Sequence, residues 1–319
     1  MSTMQQSILV APKTSEVQER PLPIPKENEV LIKVKLCGIC ASEVYPWLHA
    51  NAEREFGHEV VGEVTEVGQA VKKLRAGMRV TGLIYKGFAE YAVAPESQVV
   101  PVPDSLADEA ALGEPLACVV SGIRRTAIDL GDKVALVGLG YMGLLSLQVA
   151  KLKGPSELIA VDTRNEALKR ALRFGADLAI KPDEVNDALR LETWQDIPKK
   201  TGVDVAIEAA GNPHALDLAS CMVKAHGVLS IVGYHQGEST QVNMQMWNWK
   251  ALDVLNAHER RSGYLINCMT RGLRLLERGK LDGASLVTHE FSLDEVDRAY
   301  SAIVDKPAGF IKSVVRLSE

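Results

Sequence analysis

The chain has 319 residues, of which 46% are hydrophobic and 24% charged, with a formal net charge of −5. That length accommodates two globular domains, and the acidic balance, with a pI near 5.9 and no basic run, excludes nucleic-acid binding as the main activity. No apolar stretch is long enough for a membrane span, no signal peptide is expected, and five cysteines fit a reducing cytoplasm better than a disulfide framework.

In chain order, residues 30–36 and 60–67 alternate as half-buried strands do, and residues 88–102 alternate again. Gly62, Gly68, Gly77 and Gly82 fall near strand ends, and short strands with frequent Gly and Pro predict a compact β-barrel. Near Leu112 the pattern changes. Residues 110–127 read as a helix, Gly131-Asp132 as a turn and residues 134–137 as a buried strand. A helix over 142–153, a strand over 158–161, a helix over 166–174 and strands over 203–208 and 228–232 follow. This alternation predicts an α/β, doubly wound parallel sheet with helices on both faces. The tail carries helices over 269–278 and 293–302 and a strand over 309–317, which is expected to return to the first domain. The division expected is 1–122 with 263–319, and 123–262.

Gly138-Leu139-Gly140-Tyr141-Met142-Gly143 follows a strand and opens a helix, the context that a dinucleotide-binding G-x-G-x-x-G requires. The first glycine permits the tight turn, the second lets backbone approach a pyrophosphate, and the third lets helix pack on strand. Asp162 ends the next strand, where a carboxylate accepts hydrogen bonds from ribose hydroxyls and favours NAD over NADP; Arg164 weakens that preference. Gly211 and Gly233, with Glu208, end later strands and are read either as crevice lining or as ordinary turn chemistry.

The first domain holds Cys37-Gly38-Ile39-Cys40-Ala41-Ser42-Glu43, then Gly57-His58-Glu59, and later Gly113-Glu114-Pro115-Leu116-Ala117-Cys118. Cys40, His58 and Glu59 are a zinc-compatible donor set, and Glu114 is placed to coordinate directly or to hold a bound water. Cys37 and Cys40 also form C-x-x-C, readable as half a structural zinc site or a redox pair. No second ligand pair exists for the former, and the latter belongs at a helix start. Spacing alone leaves these readings open.

These motifs together resemble the zinc-containing medium-chain dehydrogenases, most closely the sorbitol and threonine dehydrogenase branch. The resemblance runs from Pro21 to Leu317, is carried by Gly38-Ile39-Cys40, Gly57-His58-Glu59, Glu114-Pro115-Leu116 and Gly138 to Gly143, and includes Leu286-Val287-Thr288-His289. It implies a GroES-like barrel formed by both chain ends, with a Rossmann domain inserted. It also implies Cys40, His58 and Glu59 as catalytic zinc ligands, Glu114 beside the metal, and Ser42 as the group that takes the substrate proton. Two departures stand out. The four-cysteine lobe expected after residue 80 is missing, so no structural zinc is expected, and Tyr45 stands where a relay histidine is usual.

The implied reaction is hydride transfer between a small secondary alcohol and NAD. Zinc as Lewis acid would lower the hydroxyl pKa from about 16 towards about 7, a cleft between domains would exclude water, and Ser42 would carry the proton outward. Tyr45, Trp47, Tyr141 and the region of His258 are candidate substrate contacts, and their polar and aromatic character suits a sugar, polyol or cyclitol. The arginines of residues 256–261 are read either as a substrate or cofactor contact or as a solvated cluster. The partners expected are a small molecule and a second copy of the chain, as homodimer or homotetramer, with residues 252–255 as a candidate pairing edge and neither nucleic acid nor membrane. Competing readings are a zinc-free NADPH-dependent quinone or enone reductase and a non-catalytic NAD-binding protein.

Overall fold

The computed structural model describes residues 2–237 and 239–318. The chain divides into two compact units, Met1–Cys118 with Arg260–Glu319, and Val119–Glu259.

The first unit begins with β1 (Thr3–Ala11), β2 (Thr14–Pro21), β3 (Glu29–Gly38), α1 (Val44–Leu48), β4 (Arg54–Glu55), β5 (Glu59–Val67), β6 (Arg79–Gly82), β7 (Tyr91–Pro95) and β8 (Val99–Pro101). In β3, Val30, Ile32, Val34 and Leu36 are fully buried while Lys33 faces out, the two-residue period of a strand with one face in a core. Helix α2 (Gly113–Arg125) leads across the division into the second unit.

The second unit contains β9 (Lys133–Val137), α3 (Tyr141–Lys151), β10 (Glu157–Val161), α4 (Asn165–Arg173), β11 (Leu178–Ile180), β12 (Val203–Glu208), α5 (Pro213–Met222), β13 (Val223–Ile231), α6 (Met244–Lys250) and β14 (Asp253–Asn256). Its six parallel strands lie in the order β11-β10-β9-β12-β13-β14. The order reverses between β9 and β12, the switch point at which doubly wound sheets bind ligands outside the carboxyl ends of their strands. Ala135, Val137, Ile159, Val161, Ala206 and Leu229 pack with Leu216, Ala219 and Met222 of α5.

The chain then returns to the first unit through α7 (Ser262–Glu277), β15 (Val287–Phe291), α8 (Val296–Asp305) and β16 (Lys312–Arg316). Strand β16 pairs antiparallel with β3, Val314 opposite Gly38, and completes a seven-stranded sheet. The C-terminal strand thus joins the first unit, as its surplus to the α/β sheet predicts.

Three elements differ from the sequence reading. The β1–β2 hairpin is absent from it, because β2 is largely exposed and polar and gives no apolar alternation. Helix α7 starts well ahead of residue 269. Its buried stripe of Leu265, Cys268, Met269, Gly272, Leu273 and Leu276 has helical spacing that Gly263 and polar neighbours obscure. Strand β13 begins at Val223, where a register irregularity against β12 and a positive φ of 58° at His226 break its alternation.

Candidate functional site

At the end of β3 the chain turns at Ile39 and Cys40 into a single helical turn, Ala41–Glu43. His58 and Glu59 arrive at the start of β5, whose Glu59 pairs with Gly38 in the sheet register. The ligand atoms of Cys40, His58 and Glu59 all lie within 4.8 Å of one another. Glu59 is fully buried, and its Oε2 is ion-paired with Lys312 Nζ at 2.5 Å. A buried carboxylate beside a sulfur and an imidazole, their donor atoms all close together, is a fit for a cation. The Cys, His and carboxylate donor set matches zinc. Gly38 makes room for it, since a Cβ there would stand 2.0 Å from Glu59 Oε2.

Behind these ligands lies a layer that no sequence motif announces. His58 Nδ1 lies 2.9 Å from Glu43 Oε1, which also accepts the Gly57 N–H at 3.0 Å. Glu43 Oε2 accepts the Tyr300 hydroxyl from α8 at 2.7 Å. Burial alone lowers the His58 pKa, but hydrogen bonds to Cys40 and Glu43 and the Glu43 charge outweigh it and hold the value well above the usual histidine range. A carboxylate on Nδ1 orients the ring and presents the other nitrogen, the usual second-layer arrangement of a zinc histidine. From β16, Lys312 donates to the Ile39 carbonyl at 2.7 Å and faces Glu59. Glu43 stood in the quoted motif without a role. A lone lysine in the apolar run 310–315 was the one signal for Lys312, and Tyr300 had none beyond its place on a buried helix face.

The remaining candidates fall as follows. Ser42 Oγ donates to Cys40 Sγ at 3.1 Å and is partly exposed. Tyr45 is exposed, its ring centroid 4.5 Å from His49. Glu114 sits in the first turn of α2, whose start is pinned by the Gly113 N–H to Thr81 Oγ1 bond of 3.0 Å. It stands outside the Cys40–His58–Glu59 group and accepts from Cys118 Sγ at 3.3 Å. Burial raises its pKa, with the Glu59 charge adding and the His58 charge opposing. Cys37 is fully buried, and burial with the Glu43 charge pushes its thiol far up. Trp47 corrects the sequence reading: it is a core residue rather than a substrate contact. It is 3% exposed, donates Nε1–H to Asp297 at 2.8 Å and stacks on Tyr300.

In the second unit, the glycine turn leaves β9 at the switch point and enters α3. Gly138 has φ +98°, and a Cβ on Gly143 would stand 1.9 Å from the Gly138 carbonyl oxygen. A Cβ on Gly140, by contrast, would meet no protein atom within 4 Å. Protein packing therefore requires the third glycine but not the second, and open space in front of Gly140 fits a pyrophosphate approaching the backbone. No side chain caps α3, whose first turn begins with buried Tyr141 and partly exposed Met142. Asp162 Oδ2 accepts the Leu139 N–H at 2.7 Å and ties this turn to the end of β10, while Arg164 Nε lies 3.0 Å from Oδ1. Gly211 and Gly233 gather round buried Glu208, whose Oε1 accepts the Gly211 N–H at 2.6 Å. His258 lies in the same unit, its ring 5.6 Å from Tyr234.

Residues 26–104 match the alcohol dehydrogenase GroES-like domain, and residues 142–274 match the zinc-binding dehydrogenase family. A sorbitol dehydrogenase of Halalkalibacterium halodurans is 30% identical over 321 residues, covering 90% of this chain and 92% of that protein. An L-threonine 3-dehydrogenase of Pyrococcus horikoshii is 29% identical, covering 90% and 91%. Among solved structures, an alcohol dehydrogenase of Thermus sp. superposes with a TM-score of 0.83 at 26% identity, covering 98% and 100%. A Sinorhizobium meliloti protein described as a zinc-binding dehydrogenase, bound to NADP, gives 0.84 at 26% identity, covering 99% and 100%. The chain belongs to the zinc-type medium-chain dehydrogenases, with a GroES-like unit and a Rossmann unit.

Proposed function

We propose that the chain is a zinc-dependent, NAD-linked dehydrogenase that interconverts a small secondary alcohol, of the polyol, sugar or cyclitol class, with its ketone. The observation that carries this reading is the convergence of the Cys40, His58 and Glu59 donor atoms within 4.8 Å of one another. Relatives named sorbitol dehydrogenase and L-threonine 3-dehydrogenase support the substrate class.

In this reading Cys40, His58 and Glu59 hold the ion, and Glu43 keeps the His58 ring in register through Nδ1. Zinc bound there supplies a Lewis acid that brings an alcohol hydroxyl towards ionisation at neutral pH, and the nicotinamide supplies the hydride acceptor. Ser42 takes the proton from the substrate hydroxyl towards solvent, with exposed Tyr45 on the following helix as the next candidate group. Glu114, outside the ligand group at the start of α2, is placed to coordinate the ion directly or to hold a water bound to it. The Gly138–Gly143 turn and Asp162 hold the dinucleotide. One zinc per chain is expected, because residues 83–90 between β6 and β7 contain no cysteine. The five free cysteines support a cytoplasmic setting, and β14 at the sheet edge supports a homodimer or homotetramer. No helix of the described residues is long and apolar enough to cross a membrane.

Metal analysis of the purified chain, with NADH absorbance followed across a panel of polyols, tests this. The expected result is one zinc per chain and turnover of a polyol that a chelator abolishes. Turnover that survives complete metal removal, or reduction of quinones and enones alone, would overturn it.

A further inference from the structure

One carboxylate of the first unit joins three separate segments and has no part in the chemistry above. Asp297 lies in the first turn of α8. Its Oδ1 accepts the Trp47 Nε1–H at 2.8 Å and the Ser15 hydroxyl at 2.7 Å, and its Oδ2 accepts the Ser15 N–H at 2.6 Å. Ser15 belongs to β2 just past the hairpin turn, Trp47 to α1 and Asp297 to α8. The hairpin touches α1 a second time, where the Lys13 N–H donates to the Trp47 carbonyl at 2.9 Å. Three of the carboxylate's roughly four acceptor positions are thus filled, by donors 282 and 250 positions away in the chain.

The two helices held this way carry the layer behind the metal ligands. The turn Ala41–Glu43 runs directly into α1, so fixing Trp47 fixes the helix from which Ser42 and Glu43 hang. On α8, Tyr300 stands three residues after Asp297 and so on the same face. The Trp47 ring stacks on the Tyr300 ring, with centroids 5.4 Å and planes 23° apart. The Tyr300 hydroxyl donates to Glu43 Oε2 at 2.7 Å, and Glu43 Oε1 lies 2.9 Å from His58 Nδ1. Trp47 is buried, so its N–H cannot simply turn to water if the carboxylate goes. An unpaired buried donor is costly, and relief requires the indole to tilt off Tyr300. The phenol then loses its seat, Glu43 Oε2 loses its donor, and the hold of Glu43 on His58 slackens.

We propose that Asp297 is a positioning residue for the metal ligands. It holds α1 and α8 at the spacing that keeps Glu43 on His58, and through Ser15 it makes the N-terminal hairpin part of that support. It acts through Trp47 and Tyr300, not by contact with the ion. This rests on the reading of Cys40, His58 and Glu59 as metal ligands and adds a third layer behind them.

Chelator competition for zinc and the visible spectrum of the cobalt(II)-substituted protein read the ligand geometry without depending on turnover. They are measured on the wild type, Asp297→Ala, Asp297→Asn, Tyr300→Phe and the double variant of Asp297→Ala with Tyr300→Phe. Zinc affinity in Asp297→Ala should fall by about 3- to 10-fold, at or below the effect of a change next to a ligand, and its cobalt bands should shift towards those of Tyr300→Phe. Asp297→Asn, which keeps an acceptor oxygen for Trp47, should recover most of the affinity. Because both residues act along one route, adding Asp297→Ala to Tyr300→Phe should cost little more, whereas independent sites would add. Should Asp297→Ala fail to fold, the smaller cobalt shift of Asp297→Asn carries the test. Lower stability with an unchanged zinc affinity and cobalt spectrum would make Asp297 a packing residue only and overturn the inference. A full additional loss in the double variant would overturn it too, and in both cases the metal site stands. If the wild type binds neither zinc nor cobalt, the metal reading falls and this inference with it.

Discussion

The metal-ligand corner and the glycine turn are built by opposite routes. The turn is local: a strand, three glycines and the acid of the next strand assemble from Gly138 to Asp162, and the key bond spans 23 residues, from the Leu139 N–H to Asp162. The corner is assembled across the chain. Tyr300 reaches Glu43 over 257 positions, and Lys312 reaches Ile39 over 273. The difference teaches where each region is vulnerable. The turn depends on backbone clearance, so a single methyl group is enough to break it. The corner depends on the docking of α8 and β16, so changes far away in sequence should loosen its hold on a metal.

The largest effect is expected at the turn. In Gly143→Ala the new Cβ meets the Gly138 carbonyl oxygen at 1.9 Å; the oxygen is backbone and the Cβ is fixed to the helix, so nothing can yield cheaply. Denaturant unfolding should show a loss of at least about 3 kcal/mol, and nucleotide binding should disappear. Near-wild-type stability with intact binding would mean that the helix does not need this close packing.

Gly38→Ala sharpens the contrast. Its Cβ meets Glu59 Oε2 at 2.0 Å, the end of a side chain that can rotate away. Stability should therefore suffer less than in Gly143→Ala, while zinc affinity measured by chelator competition should fall by about 10- to 100-fold. An unchanged affinity would remove Glu59 from the ligand set.

Tyr300→Phe probes the distant layer. It strips the donor from Glu43 Oε2 in a buried setting, for an expected loss of about 1–3 kcal/mol, with a fall in zinc affinity towards the lower end of the Gly38→Ala effect. Because Trp47, Phe56 and Phe88 still enclose the ring, its packing should survive. A loss of stability with no change in zinc affinity would make Tyr300 a packing residue only.

The smallest effect concerns acid stability. Burial pushes the Asp162 pKa up, but the hydrogen bonds and charge of Arg164 and the Leu139 N–H bring it below the ordinary 3.8. A carboxyl depressed on folding contributes stability above its unfolded pKa and loses it as the pH falls through the folded value. Stability measured below about pH 4 should therefore decline less steeply in Asp162→Asn than in the wild type. Parallel curves would mean that Arg164 and the Leu139 N–H add nothing to the folded state through Asp162.

The same contrast explains what the sequence makes legible. The order of strands and helices around Gly138 follows from periodicity and glycine placement, because each signal lies within a few residues of the element it defines. Cys40, His58 and Glu59 are legible as residue types at metal-ligand spacing, and the family resemblance joins them. Glu43, Tyr300 and Lys312 are not, because a carboxylate, a phenol and an amine at those positions acquire meaning only when β3, α8 and β16 meet. Trp47 misleads for the converse reason: an aromatic residue near a metal motif suggests a substrate wall, yet α1 turns it into the core against Tyr300. The engagement of Asp162 by Arg164 is local enough to suspect, but the bond from the Leu139 N–H to Asp162 is a matter of geometry.

The central claim is that Cys40, His58 and Glu59 hold one metal ion on which the chemistry depends. It is tested most directly by the zinc-to-protein ratio of the wild type, Cys40→Ser and His58→Ala, purified in parallel, with activity measured on each preparation. The account predicts a ratio near one for the wild type, and loss of both the ion and turnover in each variant. Either variant keeping full activity while the wild type carries no zinc would contradict it.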